Sequence, residues 1–229
     1  MRIIDGYAAL LLDMNDTFMF NADRFGPSQN YYETYATLGG TLPKQRVHTL
    51  IDACYAYLDL RYPDPAYHDN FPRVTDALQS LTEASDLESI ELHRLADTFA
   101  LHELGHISSK YADVLHQLAS SHTLALVADI WADKRVWLEE FKRAGVHDLF
   151  KAMVFSSEIG SVKPSPNPFL SAIEQLNVPP HNCVVIGDSI RRDIGGAEAA
   201  GVDAIWIGND TPPPYAIASY PDLADLVLS

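Results

Sequence analysis

One aspartate, Asp13, stands where an apolar run gives way to short polar residues. Residues 7–12 have the composition of a buried strand, and Asp13, Asn15 and Asp16 follow directly. Open parallel sheets bind ligands in the crevice beyond the carboxyl ends of their strands. Asp13 is therefore the first candidate for chemistry, although by itself it would fit an ordinary turn equally well.

Two further carboxylates occur together far along the chain. The apolar run 183–186 leads into Gly187 and Asp188, and Asp193 comes five residues after Asp188. Glycine permits a tight exit from a strand. Two nearby carboxylates among short polar residues suit a hard cation such as Mg2+, which prefers a few oxygen ligands plus water.

A lysine, Lys163, follows another apolar run, residues 152–155, in a segment rich in serine and glycine. Pro164 biases Lys163 away from helix, which places the ammonium in a loop. A lone Lys-Pro pair or Gly-Asp turn is typical of a solvated loop. Their positions after successive strands of one sheet make the combination specific.

The elements that must position these residues alternate between apolar strands and helices from residue 108 onward. Strands are predicted at 123–128, 152–155, 183–186 and 204–207, and helices at 110–119, 133–143, 166–176 and 193–200. Such alternation is typical of a parallel sheet covered on both faces. With residues 7–12 as a further strand, the predicted fold is α/β, a three-layer sandwich around a doubly wound parallel sheet.

The segment between the first strand and this alternating part has helical periodicity only. Helices are predicted at 31–38, 43–60, 72–83 and 87–104. Glycine and proline pairs separate them, as such residues usually do. We therefore predict a core domain of residues 1–20 and 108–229, interrupted by an all-helical cap domain of residues 21–107.

Composition limits the classes of protein to which the chain can belong. Its 229 residues are 47% hydrophobic and 21% charged, as in ordinary globular proteins. No apolar run reaches the roughly 18 residues of a membrane span, and the N-terminal run lacks the basic region of a signal peptide, so we expect a cytoplasmic protein. The formal charge of −15 disfavours nucleic acid and anionic membranes as partners. Cys54 and Cys183 have no metal-site spacing and are predicted to be reduced core residues.

The motifs together resemble those of the haloacid dehalogenase-like superfamily, whose members are mostly Mg2+-dependent phosphatases. The first motif of that family is matched by Asp13 and Thr17. The third is matched at Ser156, Glu158, Gly160, Lys163 and Pro164, and the fourth at Gly187, Asp188, Ser189, Asp193, Gly196, Ala197, Ala200 and Gly201. The resemblance covers nearly the whole chain and includes a helical cap (C1-type) inserted after the first motif.

The resemblance implies a role for each matched residue. Asp13 would be the nucleophile that takes the phosphoryl group as an aspartyl phosphate. Asp13, Asp188 and the backbone carbonyl of Asn15 would hold Mg2+, with Asp193 supporting this set of ligands. Lys163 would neutralise Asp13 and the transferring phosphoryl group, which matters because phosphoryl transfer depends mainly on positioning and charge.

Two residues depart from the pattern of the family. Asn15 replaces the usual general acid/base aspartate, and an amide cannot relay a proton, a form of help typically worth about 10²- to 10⁴-fold. Ala128 replaces the serine or threonine that binds a phosphoryl oxygen, and Asp129 adds a negative charge beside it. Backbone N–H groups at Ala128 and Asp129 remain candidates for substrate binding.

Asp16 is a weaker candidate for the missing acid. It stands one position further along than the usual aspartate. A shift of one residue redirects the side chain, and proton transfer needs hydrogen-bond reach. We therefore interpret Asp16 as solvated or capping, close enough to the candidate site to contact substrate.

A competing motif, His102-Glu103-Leu104-Gly105-His106, fits the H-E-x-x-H pattern of zinc peptidases. Short motifs of this kind arise by chance, and here Gly105 falls near a predicted helix end. Five tyrosines of the helical segment are candidates for lining a substrate cleft, though at helical spacing they also suit a core. They are Tyr31, Tyr32, Tyr35, Tyr55 and Tyr57.

The sequence therefore predicts a Mg2+-dependent phosphatase of small organic phosphate esters, slowed by Asn15, in a monomer or homodimer. The first alternative is a catalytically impaired relative that binds a phosphorylated ligand or partner. Less favoured alternatives are another hydrolase of the same superfamily, such as a dehalogenase, and the zinc peptidase.

Overall fold

A six-stranded parallel sheet forms the centre of the protein in a computed structural model that describes residues 2–228. The strands are β1 (Ala9–Leu12), β2 (Thr123–Ala128), β3 (Phe150–Phe155), β4 (Cys183–Gly187), β5 (Asp203–Ile207) and β6 (Ala216–Tyr220). Their order across the sheet is β3-β2-β1-β4-β5-β6. Leu12 of β1 lies opposite Leu126 of β2 and Ile186 of β4, so these three strands end close to the same level.

Helices occupy both faces of the sheet and the segment after β1. They are α1 (Tyr31–Thr37), α2 (Lys44–Asp59), α3 (Val74–Ser80), α4 (Ser89–Glu103), α5 (Ser109–Ala119), α6 (Arg135–Arg143), α7 (Ser156–Ile159), α8 (Asn167–Leu176), α9 (Gly195–Ala200) and α10 (Asp225–Leu228). A π-helical turn, Ile190–Ile194, lies between β4 and α9. None of the helices in residues 2–228 is long and apolar enough to cross a membrane.

Alternate residues of each strand face opposite layers. Leu10 and Leu12 of β1 join one buried apolar cluster, and Ala9 and Leu11 join another. The second cluster is covered by α8 and α9, and the first by α5 and α6. Burial on both faces explains why these strands appear in the sequence as almost unbroken apolar runs.

The four helices α1 to α4 pack against one another, and none of them contributes to the sheet. Their apolar side chains belong to the same continuous cluster as Leu10 and Leu12. Phe18, in the segment that leaves β1, stacks on Phe150 of β3 with ring centroids 6.0 Å apart. The helical segment is thus an insertion after the first strand, while its division from the core at residues 20 and 107 stays a prediction.

The structure confirms the predicted fold class and adds one strand that the sequence analysis missed. Within residues 2–228 the edge strand β6 pairs with β5 alone, and its residues are half-buried or exposed. Such a strand needs no continuous apolar run, so the pattern that predicted the others is absent. Cys54 and Cys183 are buried and unpaired, as predicted.

Candidate active site

Asp13 follows the last residue of β1 and is held from two sides. Its backbone N–H donates to the carbonyl oxygen of Ile186 at 2.9 Å, which extends the pairing with β4 past the strand end. The Thr17 hydroxyl donates to Asp13 Oδ2 at 3.0 Å. Only 8% of Asp13 is exposed, so the carboxylate has a fixed orientation.

The Lys163 side chain reaches Asp13 from the loop after α7. Its Nζ donates to Asp13 Oδ1 at 2.5 Å and to Asp193 Oδ1 at 2.7 Å. Burial alone would lower the pKa of this ammonium, but the neighbouring carboxylates, Asp13 most of all, raise it. Lys163 therefore stays charged, as a buried cation fully paired with carboxylates must.

Asp193 lies directly over Gly187, the last residue of β4. A Cβ at position 187 would stand 2.4 Å from Asp193 Cγ, so only glycine permits this approach. The other oxygen of Asp193, Oδ2, accepts the N–H of Ser189 at 2.9 Å. The turn after β4 is thereby folded back on the strand end, which brings Asp193 to Lys163.

Asp188 completes a group of three carboxylates. The Trp206 indole donates to the backbone carbonyl oxygen of Asp188 at 2.7 Å and holds the turn. Asp188 Oδ1 is buried and has no hydrogen-bond partner within residues 2–228. Orphaned buried carboxylate oxygens are costly, so this atom points to a missing cation or donor.

The three carboxylates suit a divalent cation. One oxygen from each of Asp13, Asp188 and Asp193 lies within 4.8 Å of the others. Burial and the negative charge of Asp13 raise the pKa of Asp188 to about 7 and that of Asp193 to about 6. An ion with oxygen preference would relieve this repulsion, and the donor set matches Mg2+.

The end of β2 contributes no hydroxyl to the site. Ala128 is buried, and Asp129 accepts hydrogen bonds from the Tyr62 hydroxyl at 2.7 Å and from the Lys163 N–H at 3.2 Å. Burial raises the pKa of Asp129, and the Lys163 charge opposes that rise. Asp129 thus holds the backbone of the lysine loop.

Asn15 and Asp16 lie at the opening of the site beside Asp13. Asn15 Oδ1 is buried and has no hydrogen-bond partner in the described chain. Asp16 has a left-handed backbone (φ 56°) and an exposed side chain, for which the described residues supply no hydrogen bond. Asp16 is therefore solvated, and it caps no helix.

A cavity of about 220 Å³ joins these residues to the helical segment. Its lining residues are Asp13, Asn15, Asp16, Asp23, Tyr55, Asp59, Tyr62, Glu103, Asp129, Trp131, Lys163 and Arg192. Six of them are acidic and two are basic, so the cavity carries a net negative charge as long as no cation is bound in it. Burial and the nearby Asp16 raise the pKa of Asp23 to about 6, while Arg192 opposes that rise.

The sequence analysis found only part of the cavity wall. Of its five tyrosine candidates only Tyr55 lines the cavity, whereas Tyr31 and Tyr35 are buried in the packing between helices. Five lining residues were not predicted from the sequence: Asp23, Asp59, Tyr62, Trp131 and Arg192. Arg192 carried a usable signal, because it stands inside the Gly-Asp-Ser motif directly before Asp193, but no motif or periodicity marks the other four.

The zinc-peptidase motif does not assemble. The two ring nitrogens of His102 contact Thr34 Oγ1 at 3.0 Å and the Arg24 carbonyl oxygen at 3.1 Å. Glu103 instead accepts the N–H groups of Trp131 and Ala132, at 2.6 and 3.0 Å. His106 lies beyond the end of α4, and the only metal-like group among residues 2–228 is the three aspartates. This alternative is wrong because α4 ends at Glu103, so the second histidine never lies one turn from the first.

The fold and this site define a doubly wound parallel α/β protein with an acidic, lysine-containing centre at the ends of its strands. A family model described as haloacid dehalogenase-like hydrolase matches residues 50–207. The chain belongs to this family.

Curated relatives resemble parts of the chain. A glyceraldehyde 3-phosphate phosphatase of Methanopyrus kandleri is 41% identical over 69 residues, 30% of each chain. A phosphoserine phosphatase of Thermus thermophilus is 35% identical over 85 residues, 37% of this chain and 34% of that protein. Pyrophosphatase PpaX of Halalkalibacterium halodurans is 25% identical over 170 residues, 68% of this chain and 76% of that protein. The matches to the first two span about a third of those relatives.

Solved structures share the whole fold. A 2-haloacid dehalogenase from Pseudomonas syringae is 24% identical with a TM-score of 0.63, covering 97% of this chain and 98% of that one. A phosphatase from Thermococcus onnurineus is 21% identical with a TM-score of 0.57, covering 95% of both chains. At these identities the likeness concerns the fold alone.

Proposed function

We propose that this protein is a Mg2+-dependent phosphatase that hydrolyses a small organic phosphate ester through Asp13. The observation that carries the proposal is the buried, unpartnered Oδ1 of Asp188, grouped with Asp13 and Asp193 beside the Lys163 ammonium. Carbon–halogen hydrolysis by an aspartate needs no such cation, so this orphan oxygen favours phosphate chemistry over the dehalogenase alternative. The phosphatases among the curated relatives support the same choice.

The residues that would hold Mg2+ are Asp13, Asp188 and the backbone carbonyl of Asn15, with Asp193 behind them. When bound, the ion would supply positive charge to the phosphoryl oxygens. This fits a site that otherwise places three carboxylates within 4.8 Å of one another.

Asp13 would act as the nucleophile. A carboxylate oxygen forms a bond to phosphorus while the ester P–O bond breaks, and the leaving oxygen departs as an alkoxide with the electron pair of that bond and takes a proton from water. Water then attacks the phosphorus of the aspartyl phosphate, which releases inorganic phosphate and restores the carboxylate. Lys163 stays protonated throughout, orients the Asp13 carboxylate and neutralises charge as the phosphoryl group arrives.

Asn15 would limit the rate. Its amide can donate a hydrogen bond to the leaving oxygen, but no proton can pass through it, so leaving groups of low pKa should react best. The acidic wall of the cavity adds a second preference. Esters whose leaving group carries its own negative charge should bind poorly, because Asp23 and Asp59 line the cavity.

The test is a panel of phosphate esters assayed with and without Mg2+. Release of phosphate that needs Mg2+ and that Asp13→Asn abolishes would support the proposal. Asp113→Asn, an exposed aspartate on α5, is the matched control and should leave turnover unchanged. The proposal fails if no ester on the panel gives Mg2+-dependent release.

A second candidate function follows from Asn15 and Ala128, which remove an acid/base group and a hydroxyl from the site. The protein would then bind a phosphorylated ligand or partner without efficient turnover. Binding of inorganic phosphate with Mg2+, in the absence of ester hydrolysis, would favour this candidate.

We further propose that residues 1–20 and 108–229 form the core domain and that residues 21–107 form the cap. We also propose that the protein acts in the cytoplasm on a small phosphate ester, as a monomer or a homodimer.

A further inference from the structure

Arg192 projects its side chain into the same cavity as Asp13 and Lys163. It belongs to the π-helical turn Ile190–Ile194, and its backbone N–H donates to Ser189 Oγ at 3.2 Å. Within residues 2–228 its guanidinium has no hydrogen bond and no carboxylate within salt-bridge distance. The guanidinium lies over the Tyr62 ring, with Arg192 Cζ 5.6 Å from the ring centroid.

Arg192 is the basic group of the cavity whose donors are free. The cavity has two basic side chains in the described chain, and Lys163 already donates to Asp13 and Asp193. A guanidinium without a partner in an acidic cavity keeps its five N–H donors available. Their planar arrangement matches two oxygens of a phosphoryl group.

The residues at the end of β2 leave a phosphoryl group in need of a hydrogen-bond donor from elsewhere. A transferring phosphoryl group carries charge on three oxygens, and each must meet a donor or a cation. Ala128 offers no side-chain donor at this strand end, and Asp129 faces the cavity as a negative group. A second cation on the opposite side, after β4, is the remaining source of charge-assisted hydrogen bonds.

We propose that Arg192 binds the transferring phosphoryl group and replaces the donor that Ala128 cannot supply. This inference rests on the proposed function and adds a substrate-binding residue to it. The competing role for Arg192 is to balance the charge of the acidic cavity, without contact to substrate.

The experiment compares Arg192→Ala, Arg192→Lys and the matched control Arg191→Ala. Arg191 is the exposed neighbour in the same turn and does not line the cavity. Two quantities are measured with Mg2+ present: kcat/KM on the best ester of the panel, and the Kd of inorganic phosphate. Thermal unfolding of each variant verifies the fold.

We expect Arg192→Ala to lower kcat/KM by about 10²-fold, in line with the loss of one donor to a developing oxyanion. The same variant should weaken inorganic phosphate binding about tenfold or more, as expected for the loss of a charge-assisted contact. Arg191→Ala should stay within about twofold of wild type, since exposed charges contribute little. Arg192→Lys should fall between wild type and Arg192→Ala, because it keeps the charge and loses the planar pair of donors. If Arg192→Ala does not fold, Arg192→Lys decides the question by itself.

A second variant, Ala128→Ser, tests directly whether Arg192 replaces the donor that Ala128 cannot supply. Ala128→Ser returns a hydroxyl to the end of β2, and it should raise kcat/KM more in the Arg192→Ala background than in wild type. An equal change in kcat/KM in both backgrounds would contradict the idea that Arg192 replaces the missing donor. Wild-type values of kcat/KM and phosphate Kd for both Arg192→Lys and Arg192→Ala would overturn the inference and leave charge balance as the role.

The two proposals fail in different ways. If wild type hydrolyses esters and Arg192→Ala behaves like Arg191→Ala, the Arg192 inference falls and the phosphatase stands. If wild type hydrolyses nothing but binds inorganic phosphate through Arg192, the phosphatase falls, and Arg192 remains only as a phosphate-binding residue of the second candidate function. If wild type neither hydrolyses esters nor binds phosphate, both are overturned.

Discussion

On the proposed mechanism, Asn15 is the residue that separates substrate binding from turnover at this site. It lines the cavity beside Asp13 and leaves its Oδ1 buried without a partner among residues 2–228. An amide oxygen at that place can accept a hydrogen bond from a hydroxyl or a water, but it cannot take the proton. On the proposed mechanism, the chain would keep the geometry for nucleophilic attack by Asp13 while lacking a group that protonates the leaving oxygen.

We predict that Asn15→Asp raises kcat for esters with poor leaving groups, by up to the roughly 10²- to 10⁴-fold that general acid/base help provides. Esters with good leaving groups should gain far less, because they need no proton. The measurement is kcat across a series of leaving-group pKa values for both proteins. Parallel dependences in wild type and Asn15→Asp would refute the explanation.

Glu103 is a buried carboxyl with a structural task at the junction of α4 and the β2–α6 loop. Burial and the nearby Asp23 raise its pKa to about 8, although hydrogen bonds from the Trp131 and Ala132 N–H groups oppose the rise. Its ordinary value is 4.5, so the folded protein holds a proton that the unfolded chain releases between pH 4.5 and about 8. The contribution of Glu103 to stability is therefore present below pH 4.5 and is lost as the pH rises to about 8.

We predict that the free energy of unfolding of wild type falls, relative to Glu103→Gln, as the pH rises from 5 to about 8. Urea denaturation of both proteins at several pH values measures the difference. Glu139→Gln, an exposed glutamate of α6, is the control and should show a difference from wild type that does not change with pH. A constant difference for Glu103→Gln would show that Glu103 is ionised throughout.

At the scale of elements, the loop between β2 and α6 joins the helical segment to the sheet. Its Trp131 ring lies among aromatic rings of the helical segment, 5.3 Å from Tyr62 and 5.6 Å from Tyr55 between centroids. The backbone N–H of Trp131 donates to Glu103 at 2.6 Å, and the Tyr62 hydroxyl donates to Asp129 at 2.7 Å. These contacts place the aromatic wall over the strand ends.

We predict that Tyr62→Phe destabilises the protein by about 1–3 kcal/mol, the cost of leaving a buried charged acceptor short of a donor. The same change should raise KM, because Asp129 also holds the Lys163 backbone N–H. Tyr67→Phe is the matched control, since the Tyr67 hydroxyl has no hydrogen bond in the described chain, and it should be neutral. Urea denaturation and steady-state kinetics of both variants provide the measurements. Equal stabilities for the two variants would show that the Tyr62–Asp129 bond contributes nothing.

At the scale of the whole molecule, the proposed metal binding would be coupled to folding stability. A cation that binds only the folded protein stabilises it by an amount that grows with concentration, about 2.7 kcal/mol at a hundredfold excess over Kd. We predict that Mg2+ raises Tm of wild type and that Asp188→Asn abolishes this rise. Asp113→Asn should keep it. A full Mg2+-induced shift in Asp188→Asn would place the ion elsewhere.

The Asp188→Asn variant also gives a second readout that needs no metal. Burial and the charges of Asp13 and Asp193 raise the pKa of Asp188 from 3.8 to about 7, so the stability that its protonated form contributes is lost as the pH rises from 3.8 to about 7. Without Mg2+, Asp188→Asn should therefore be more stable than wild type at pH 8, and this gain should shrink towards pH 5. A lower Tm than wild type at pH 8 would contradict this account.

Local signals in the sequence were sufficient for the central strands and for the residues at their ends. Five of the six strands are apolar runs because both of their faces are buried. Asp13, Lys163, Asp188 and Asp193 could be named since each follows such a run or lies in a short motif. β6 gave no signal because an edge strand is half-exposed, and the H-E-x-x-H match misled because a motif does not record where its helix ends.

What the sequence determined by itself is the set of chemical groups, because residue type fixes which atoms can attack, donate or hold a cation. It also determined the sheet, because strand burial on two faces leaves an unmistakable apolar pattern. Only the tertiary structure decided which distant groups share the cavity. Tyr62 and Arg192 are 130 positions apart and meet through packing of the helical segment on the strand ends, a contact that no local periodicity encodes.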